Sequence, residues 1–274
     1  DEIVAAYKKN LVAANLVKKM NMKGKKGDVV HFPSPARGAA STKAAETEVT
    51  LIQESGSEIT VTIGSHYEYS RLIDDFAEVQ ALNSLRRFYT DDAGYSLATR
   101  IDTDVLALGA SAQGGAANTA YTKGFIGGDG STAYVAASNN ESAITDAGFR
   151  RAIQRLDDAD VPMENRNFVI PPVARNTMMG LSRFTEQAFT GESGNANTIR
   201  NGQIGDIYGV KVYVSTNVAT TSGSADARAA LLFHPEWAVL IEQLSLRVQT
   251  QYKQEYLGTL LTADTLYGVG ELRD

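Results

Sequence analysis

Apolar and polar residues alternate with period two through residues 47–63, TEVTLIQESGSEITVTI. Val49 and Leu51 on a first arm, and Ile59, Val61 and Ile63 on a second, share one face. Thr50, Thr60 and Thr62 take the other, and Glu54-Ser55-Gly56-Ser57 supplies a turn. That alternation predicts a β-hairpin with one apolar side. Arms of about seven residues at roughly 3.3 Å each reach some 20 Å. A lone two-stranded ribbon is marginal in water, so its apolar face needs a partner. The partner expected here is another copy of the same chain, with Val49, Leu51, Ile59, Val61 and Ile63 at the intersubunit contact. Alternation continues through His66-Tyr67-Glu68-Tyr69, so the second arm is expected to run on toward Ile73.

Elsewhere the spacing turns helical. Ile3, Tyr7, Leu11, Asn15 or Leu16, and Met20 form one stripe with lysines opposite, which predicts a leading helix ended by Gly24 and Gly27. Asp28 to Phe32 reads as a short strand stopped by Pro33 and Pro35. The longest helix is expected over 84–109, with Asn83 as N-cap. Leu85, Tyr89, Ala93, Leu97, Ile101, Val105 and Leu108 recur there at steps of four and three. Arg86, Arg87, Asp91, Asp92, Arg100, Asp102 and Asp104 fall largely off that stripe.

Residues 109–133 and 190–205 are rich in glycine and small polar residues and read as loops. Between and after them the pattern predicts a helix at 146–159, a buried strand at 168–170 and a helix around 173–188. A strand follows at 207–214, with Gly209 at a turn or bulge, then another at 231–233. Pro235 is suited to open a helix carrying Trp237, Leu240 and Ile241. Residues 246–257 look extended, and the chain closes with more strand. Helices and strands mix without a βαβ rhythm, so the fold class is α+β.

The chain has 274 residues, 43% of them hydrophobic, enough to build a sizeable core. No run approaches the roughly 20 apolar residues of a membrane-spanning helix. It starts at Asp1 without a basic-then-apolar leader, so no signal peptide is expected, and the missing Met suggests that some N-terminal residues are not included. Cysteine is absent, which removes disulfides and thiolate metal sites, and the three histidines (His31, His66, His234) lie far apart. Residues 1–27 carry seven lysines against Asp1 and Glu2, a net of +5, which leaves −11 for the remainder of a chain totalling −6. A basic arm on an acidic body suits nucleic acid or an acidic partner, or simply a solvated leading helix. The acidic body argues against reading DNA sequence, which needs Lys and Arg facing phosphates.

Chemistry is thinly signalled. Adjacent acids occur at Asp74-Asp75, Asp91-Asp92 and Asp157-Asp158. Neighbours on a helix point about 100° apart, so these read as caps or solvated faces and not as catalytic dyads. The glycine clusters lack a Walker lysine and a G-x-G-x-x-G between strand and helix. No G-x-S-x-G elbow is present. Asn140-Glu141-Ser142 matches a glycosylation triplet without a secretory context. No catalytic residue, cofactor or metal is expected.

Several segments, in order, resemble one family: KGDVVHFP, the polar hairpin, YSRLIDDF and the long helix ending RIDTDVLALGA. NFVIPPVARNTMMGL, IRNGQIGDIYGVKVYVSTNV, LFHPEWAVLIEQLSLRVQ and LYGVGELRD follow. The chain resembles the major capsid proteins of tailed double-stranded DNA bacteriophages, of the short-tailed, T7-like sort. The glycine-spaced stretch 199–212 and the HPEW segment are the most specific parts. The resemblance implies the HK97-type fold. It maps an N-terminal arm to 1–27, an extended loop region to 28–72 and a peripheral domain with its spine helix to 73–110. It maps an axial domain to 111–232 and a returning segment to 233–274. It also implies a loop lying across a neighbouring subunit, which would cover the hairpin in trans.

A shell subunit forming hexamers and pentamers is therefore expected, with itself, a scaffolding protein and a portal as partners. The shell would enclose double-stranded DNA without sequence-specific binding, and no membrane is involved. The loops near 109–133 and 190–205 are candidates for contacts around the local symmetry axis. Some relatives weld their shells with a Lys–Asn isopeptide bond near the chain's end. Residues 218–274 contain no Asn, so non-covalent stabilisation is expected. Two other readings stay open: an encapsulin-like compartment, separated by its protein cargo, and a soluble α+β enzyme, separated by a monomeric mass and turnover.

Overall fold

The computed structural model describes residues 11–35, 38–49, 51, 56–80, 85–112, 126–130, 142–181, 206–220 and 228–273. Asn83, the hairpin's expected turn at Glu54-Ser55 and most of the two expected axial loops lie outside them.

The largest sheet contains four strands in the order β1-β9-β10-β4. They are β1 (Lys18–Asn21), β4 (Ser65–Asp74), β9 (Ala238–Lys253) and β10 (Gly258–Glu271). β10 is antiparallel to both its neighbours, whereas the short edge strand β1 runs parallel to β9. The helix α3 (Leu85–Ala112) crosses one face of this sheet and measures about 42 Å at 1.5 Å per residue. Ala93 and Leu97 press on Ala263, with Tyr67 and Tyr69 packed against them. The expected helix is thus present, and its buried side follows the four-and-three spacing.

The sheet's other face is covered by a two-stranded ribbon, β2 (Val29–Pro35) with β3 (Gly56–Thr62). Val61, Ile63, Val239 and Ile241 form the buried contact, with Met20, Val30 and Phe32 around them. This explains the all-buried run Ala238–Ile241. Leu240 packs on the helix side while Val239 and Ile241 pack on the ribbon side. A strand covered on both faces reads as a continuous apolar run, which periodicity does not separate from a helix. The helix expected after Pro235 is accordingly corrected: Pro235–Trp237 is a single 3-10 turn, and Leu240 and Ile241 belong to β9.

The hairpin also needs correcting. β3 pairs with residues 29–35, from Val29↔Thr62 to Pro35↔Gly56, and not with the 47–53 arm. The prolines do not stop β2. The Ile63 N–H donates to the Asp28 carbonyl, so residues 30, 32 and 34 make the ladder bonds and positions 33 and 35 turn their nitrogens outward. Pro33 and Pro35 therefore sit where a missing donor costs no ladder bond.

A second four-stranded sheet has the order β6-β7-β5-β8. Its strands are β5 (Asn167–Ile170), β6 (Asp206–Ile207), β7 (Val210–Val214) and β8 (Leu231–Phe233). Tyr208 and Gly209, with φ of 49° and 78°, turn β6 into β7, so the expected single strand over 207–214 is a tight hairpin. The helices α4 (Asp146–Asp158) and α5 (Pro172–Met179) pack on this sheet through Phe149, Phe168, Ile170 and Met178. The Thr145 hydroxyl caps α4 by accepting from the Gly148 N–H at 3.1 Å.

A third core joins the two large sheets. Val105 and Leu106 of α3 meet Val169, Phe233, Leu240 and Tyr267 there, together with Ala13 and Val17. Ile3 and Tyr7 of the expected leading helix lie outside the described residues; within them helix runs over α1 (Ala13–Leu16), and residues 18–21 are strand where a helix was expected. Pairing with β9 and burial of Met20 outweigh the helical stripe, a tertiary override of a weak local preference. Lys18, Lys19, Lys23, Lys25 and Lys26 remain exposed.

Candidate assembly surfaces

The acid pairs serve structural ends. Asp74 accepts from the Phe76 N–H at 2.8 Å and so caps α2 (Asp75–Gln80), while Asp75 accepts from the Tyr252 hydroxyl at 2.8 Å. Asp157 pairs with the buried Arg166 at 2.7 Å. Ser142 of the glycosylation triplet accepts from the Asp129 N–H at 3.1 Å. Among the described residues no group of His, Asp and Glu is arranged to hold a metal ion. One polar cluster spans three strands: Arg247 grips Asp264 with two bonds of 2.9 and 2.7 Å, and His66 lies 3.4 Å from the same carboxylate. Those bonds hold the Asp264 carboxyl below its ordinary range.

The polar side of α3 is a fastening and not a solvated face. The Tyr69 hydroxyl donates to Asp92 at 2.9 Å, and Arg100 donates to the Tyr67 hydroxyl at 2.9 Å. Arg100 also stacks 4.8 Å over the Tyr67 ring and pairs with Asp104 at 3.1 Å. Arg71 lies 4.8 Å over the ring of Tyr89. The buried Tyr267 completes the set with a 2.6 Å bond to Asp104. Burial first, then that carboxylate, drives its phenol far above the usual range. Asp102 is a sharper correction, since it is fully buried although it falls off the apolar stripe. The fastening did leave a signal in the sequence: Asp92, Arg100 and Asp104 are spaced by multiples of four, opposite two tyrosines that alternate on a strand.

The five hairpin residues part company. Val61 and Ile63 are buried within their own chain, 2% and 5% exposed, so the expectation that their face awaits a neighbour is overturned for them. The sheet beneath can seat them because β10 carries glycines at 268 and 270. A Cβ on Gly270 would strike the Val61 side chain, and one on Gly268 would meet the Thr62 carbonyl oxygen at 2.6 Å. Ile59 is half-buried opposite Phe32. Val49 and Leu51 lie out in the connection from β2 to β3, 66% and 84% exposed. A second exposed apolar group sits at the far end of the larger sheet, where Phe76, Val79, Tyr252, Tyr256 and Leu257 flank the β9–β10 turn. Leu257 holds a left-handed φ of 46° there, a conformation that bulky residues rarely adopt.

A description of the phage capsid protein family matches residues 60–270, about three-quarters of the chain. The chain belongs to the phage capsid protein family. The fold agrees. It is similar to the structure of Mycobacterium phage Che8, at a TM-score of 0.79 and 24% identity, covering 100% of this chain and 92% of that one. It is also similar to the capsid of cyanophage P-SCSP1u, at a TM-score of 0.75 and 19% identity, covering 99% and 88%. The mature capsid of bacteriophage PhiM1 follows at a TM-score of 0.72 and 14% identity, covering 100% and 87%. A search of curated protein sequences finds no match. Identities this low speak for the fold, which is the HK97-type capsid fold. The family match carries the function: a major capsid protein, a structural component of the virion shell. The encapsulin and enzyme readings are not favoured.

Proposed function

We propose that this capsid protein self-assembles into hexamers and pentamers that close an icosahedral shell around the double-stranded DNA genome. Assembly runs in the host cytoplasm, first around a scaffolding protein with a portal in place, and the shell then expands as DNA enters. The chain catalyses nothing and binds no cofactor. Its acidic body suits a container that must not adhere to its own genome. The T7-like assignment rests on the order of sequence segments alone.

The β2–β3 ribbon is the stem of the extended loop, and residues 36–55 are its reach. The larger sheet with α3 makes the peripheral domain, and the smaller sheet with α4 and α5 makes the axial domain. Residues 1–27 form the arm. The contacts around the local symmetry axis are assigned to 109–133 and 190–205 from the sequence alone. What supports this reading most is the contrast within the loop region. Val61 and Ile63 bind the stem to its own body, while Val49 and Leu51 stay in water at a cost of roughly 1.5–3 kcal/mol each in forgone burial. A neighbouring subunit supplies that burial.

Negative-stain microscopy and sedimentation of the expressed protein, with and without its scaffolding protein, test the assembly. Closed particles holding nuclease-protected DNA after packaging are expected. A chain that stays monomeric with its scaffold present would sink the proposal, as would particles that hold a host protein instead of DNA.

A further inference from the structure

The shell function leaves one buried charge unexplained. Asp102, in the middle of α3, is fully buried and among the described residues has two hydrogen-bond donors: the Ala13 backbone N–H at 2.7 Å and the Asn217 side-chain amide at 3.1 Å. Neither donor is charged. The partners lie 89 and 115 residues away in sequence, one before α3 and one after β7. Burying a carboxylate against two neutral donors is costly, and an apolar residue of similar size would pack there more cheaply. What an apolar residue lacks is direction. The surrounding contacts, Ala13 and Val17 on Val105, Leu106 and Val218, are apolar and fix no register.

Register matters immediately downstream. β1 holds the sheet by four parallel pairs, from Lys18↔Val239 to Asn21↔Glu242, and of these only Met20 faces the ribbon core. A slip of one residue would turn Met20 outward and a lysine inward. Val12, which precedes α1, offers no side-chain cap, so the Ala13 N–H has Asp102 as its acceptor.

We propose that Asp102 is a positioning residue that seats the N-terminal segment. It fixes Ala13 on the spine helix, ties that point to the Asn217 loop, and thereby sets the register of β1. The segment 13–21 and the loop are one coupled unit across α3, so loosening either loosens the other.

Hydrogen exchange on the full chain, compared between wild type, Asp102→Ala and Asp102→Asn, tests this. In Asp102→Ala the amides of 13–21 exchange about tenfold faster or more, the scale of one charge-assisted hydrogen bond lost from a local opening. Those of α3 and β10 stay within about threefold of wild type. Asp102→Asn restores protection, because its oxygen still accepts from Ala13 and a turned Asn217 amide accepts from its nitrogen. Asn217→Ala gives the same contrast, more weakly, in a chain whose helix core is untouched, and serves if Asp102→Ala does not fold. Unchanged protection at 13–21 in both alanine variants, or protection lost equally throughout the chain, overturns the proposal.

Discussion

The hydroxyl of Tyr267, on a strand near the end of the chain, donates a 2.6 Å hydrogen bond to the carboxylate of Asp104, on the spine helix. The two residues are 163 apart in sequence, and the tyrosine ring is completely buried. Asp104 also holds Arg100, which in turn holds Tyr67 from the neighbouring strand. Sheet and helix are therefore joined by directed bonds outside the apolar seam. Such bonds resist sliding along the helix axis in a way that non-directional packing does not.

Removing the hydroxyl tests the joint. Tyr267→Phe keeps the ring's packing and is expected to destabilise the unassembled subunit by about 1.5 kcal/mol, the lower end for a bond to a charged group because Asp104 keeps Arg100. The sign with pH follows from the raised phenol. Below an ordinary tyrosine pKa of about 10 both folded and unfolded chains keep this proton, and the bond's contribution is fully present. Above that value the unfolded chain releases the proton and the contribution falls. The gap between wild type and Tyr267→Phe in chemical unfolding should thus shrink from pH 8 to pH 11. A gap that stays constant would show that the phenol is not held neutral by the fold.

Asp264 behaves in the opposite sense. Bonds from Arg247 hold its carboxyl below the ordinary range, so the stability it contributes is present above about pH 4 and disappears as pH falls through the folded-state value. Asp264→Asn should melt lower than wild type at pH 7, and the two melting temperatures should converge in acid. Parallel melting curves from pH 7 down to pH 2 would refute the linkage.

How much of this was legible in the sequence depends on whether a partner was needed to see it. The spine helix was, because seven apolar positions at steps of four and three leave no competing period. The buried strand at Phe168 to Ile170 and the helix from Asp146 were also plain, since Pro171-Pro172 stops the strand and Asp146 sits at the helix start. The ribbon was half legible. Its alternating second arm, through Ile59, Val61 and Ile63, is strand, but its true partner lies beyond the connection 36–55 and carries two prolines that read as strand stops. The sequence does not show which edge of β2 faces water, and that decided the matter. Met20 and Leu240 were misread because both helix and strand would bury them, and only pairing with neighbouring strands chose between the two. Among the site residues, Val49 and Leu51 are exposed, whereas Val61 and Ile63 were claimed by Val239 and Ile241, which the sequence places nearly 180 residues away.

The glycines under the ribbon give a sharper test of that seating. A methyl group at position 268 would lie 2.6 Å from the Thr62 carbonyl oxygen and 3.1 Å from the Ile63 Cα, so backbone would have to move. Gly268→Ala should cost about 1–3 kcal/mol, as overpacking does, and should raise hydrogen exchange in β2 and β3 ahead of the rest of the sheet. Gly64→Ala, where a Cβ meets nothing within 4 Å, is the control and should be close to neutral. Equal behaviour of the two variants would remove the close approach from the account.

The decisive pair is Val61→Asp against Leu51→Asp. Both place a carboxylate in the same loop region, and sequence alternation alone would expect both to block assembly in the same way. The structure separates them. At position 61 the charge would be buried beneath the ribbon with no partner, costing about 3 kcal/mol or more, so the subunit itself should melt early and expose its core. At position 51 the side chain is 84% exposed, so the subunit should keep its stability within about 0.5 kcal/mol while its yield of closed shells falls. Circular dichroism melts of unassembled protein read the first effect, and sedimentation of assembly mixtures reads the second. If Leu51→Asp assembles as wild type does, the exposed loop is not the contact between subunits. If Val61→Asp melts as wild type does, the ribbon is not held by its own body, and its apolar face would again need a neighbour to cover it.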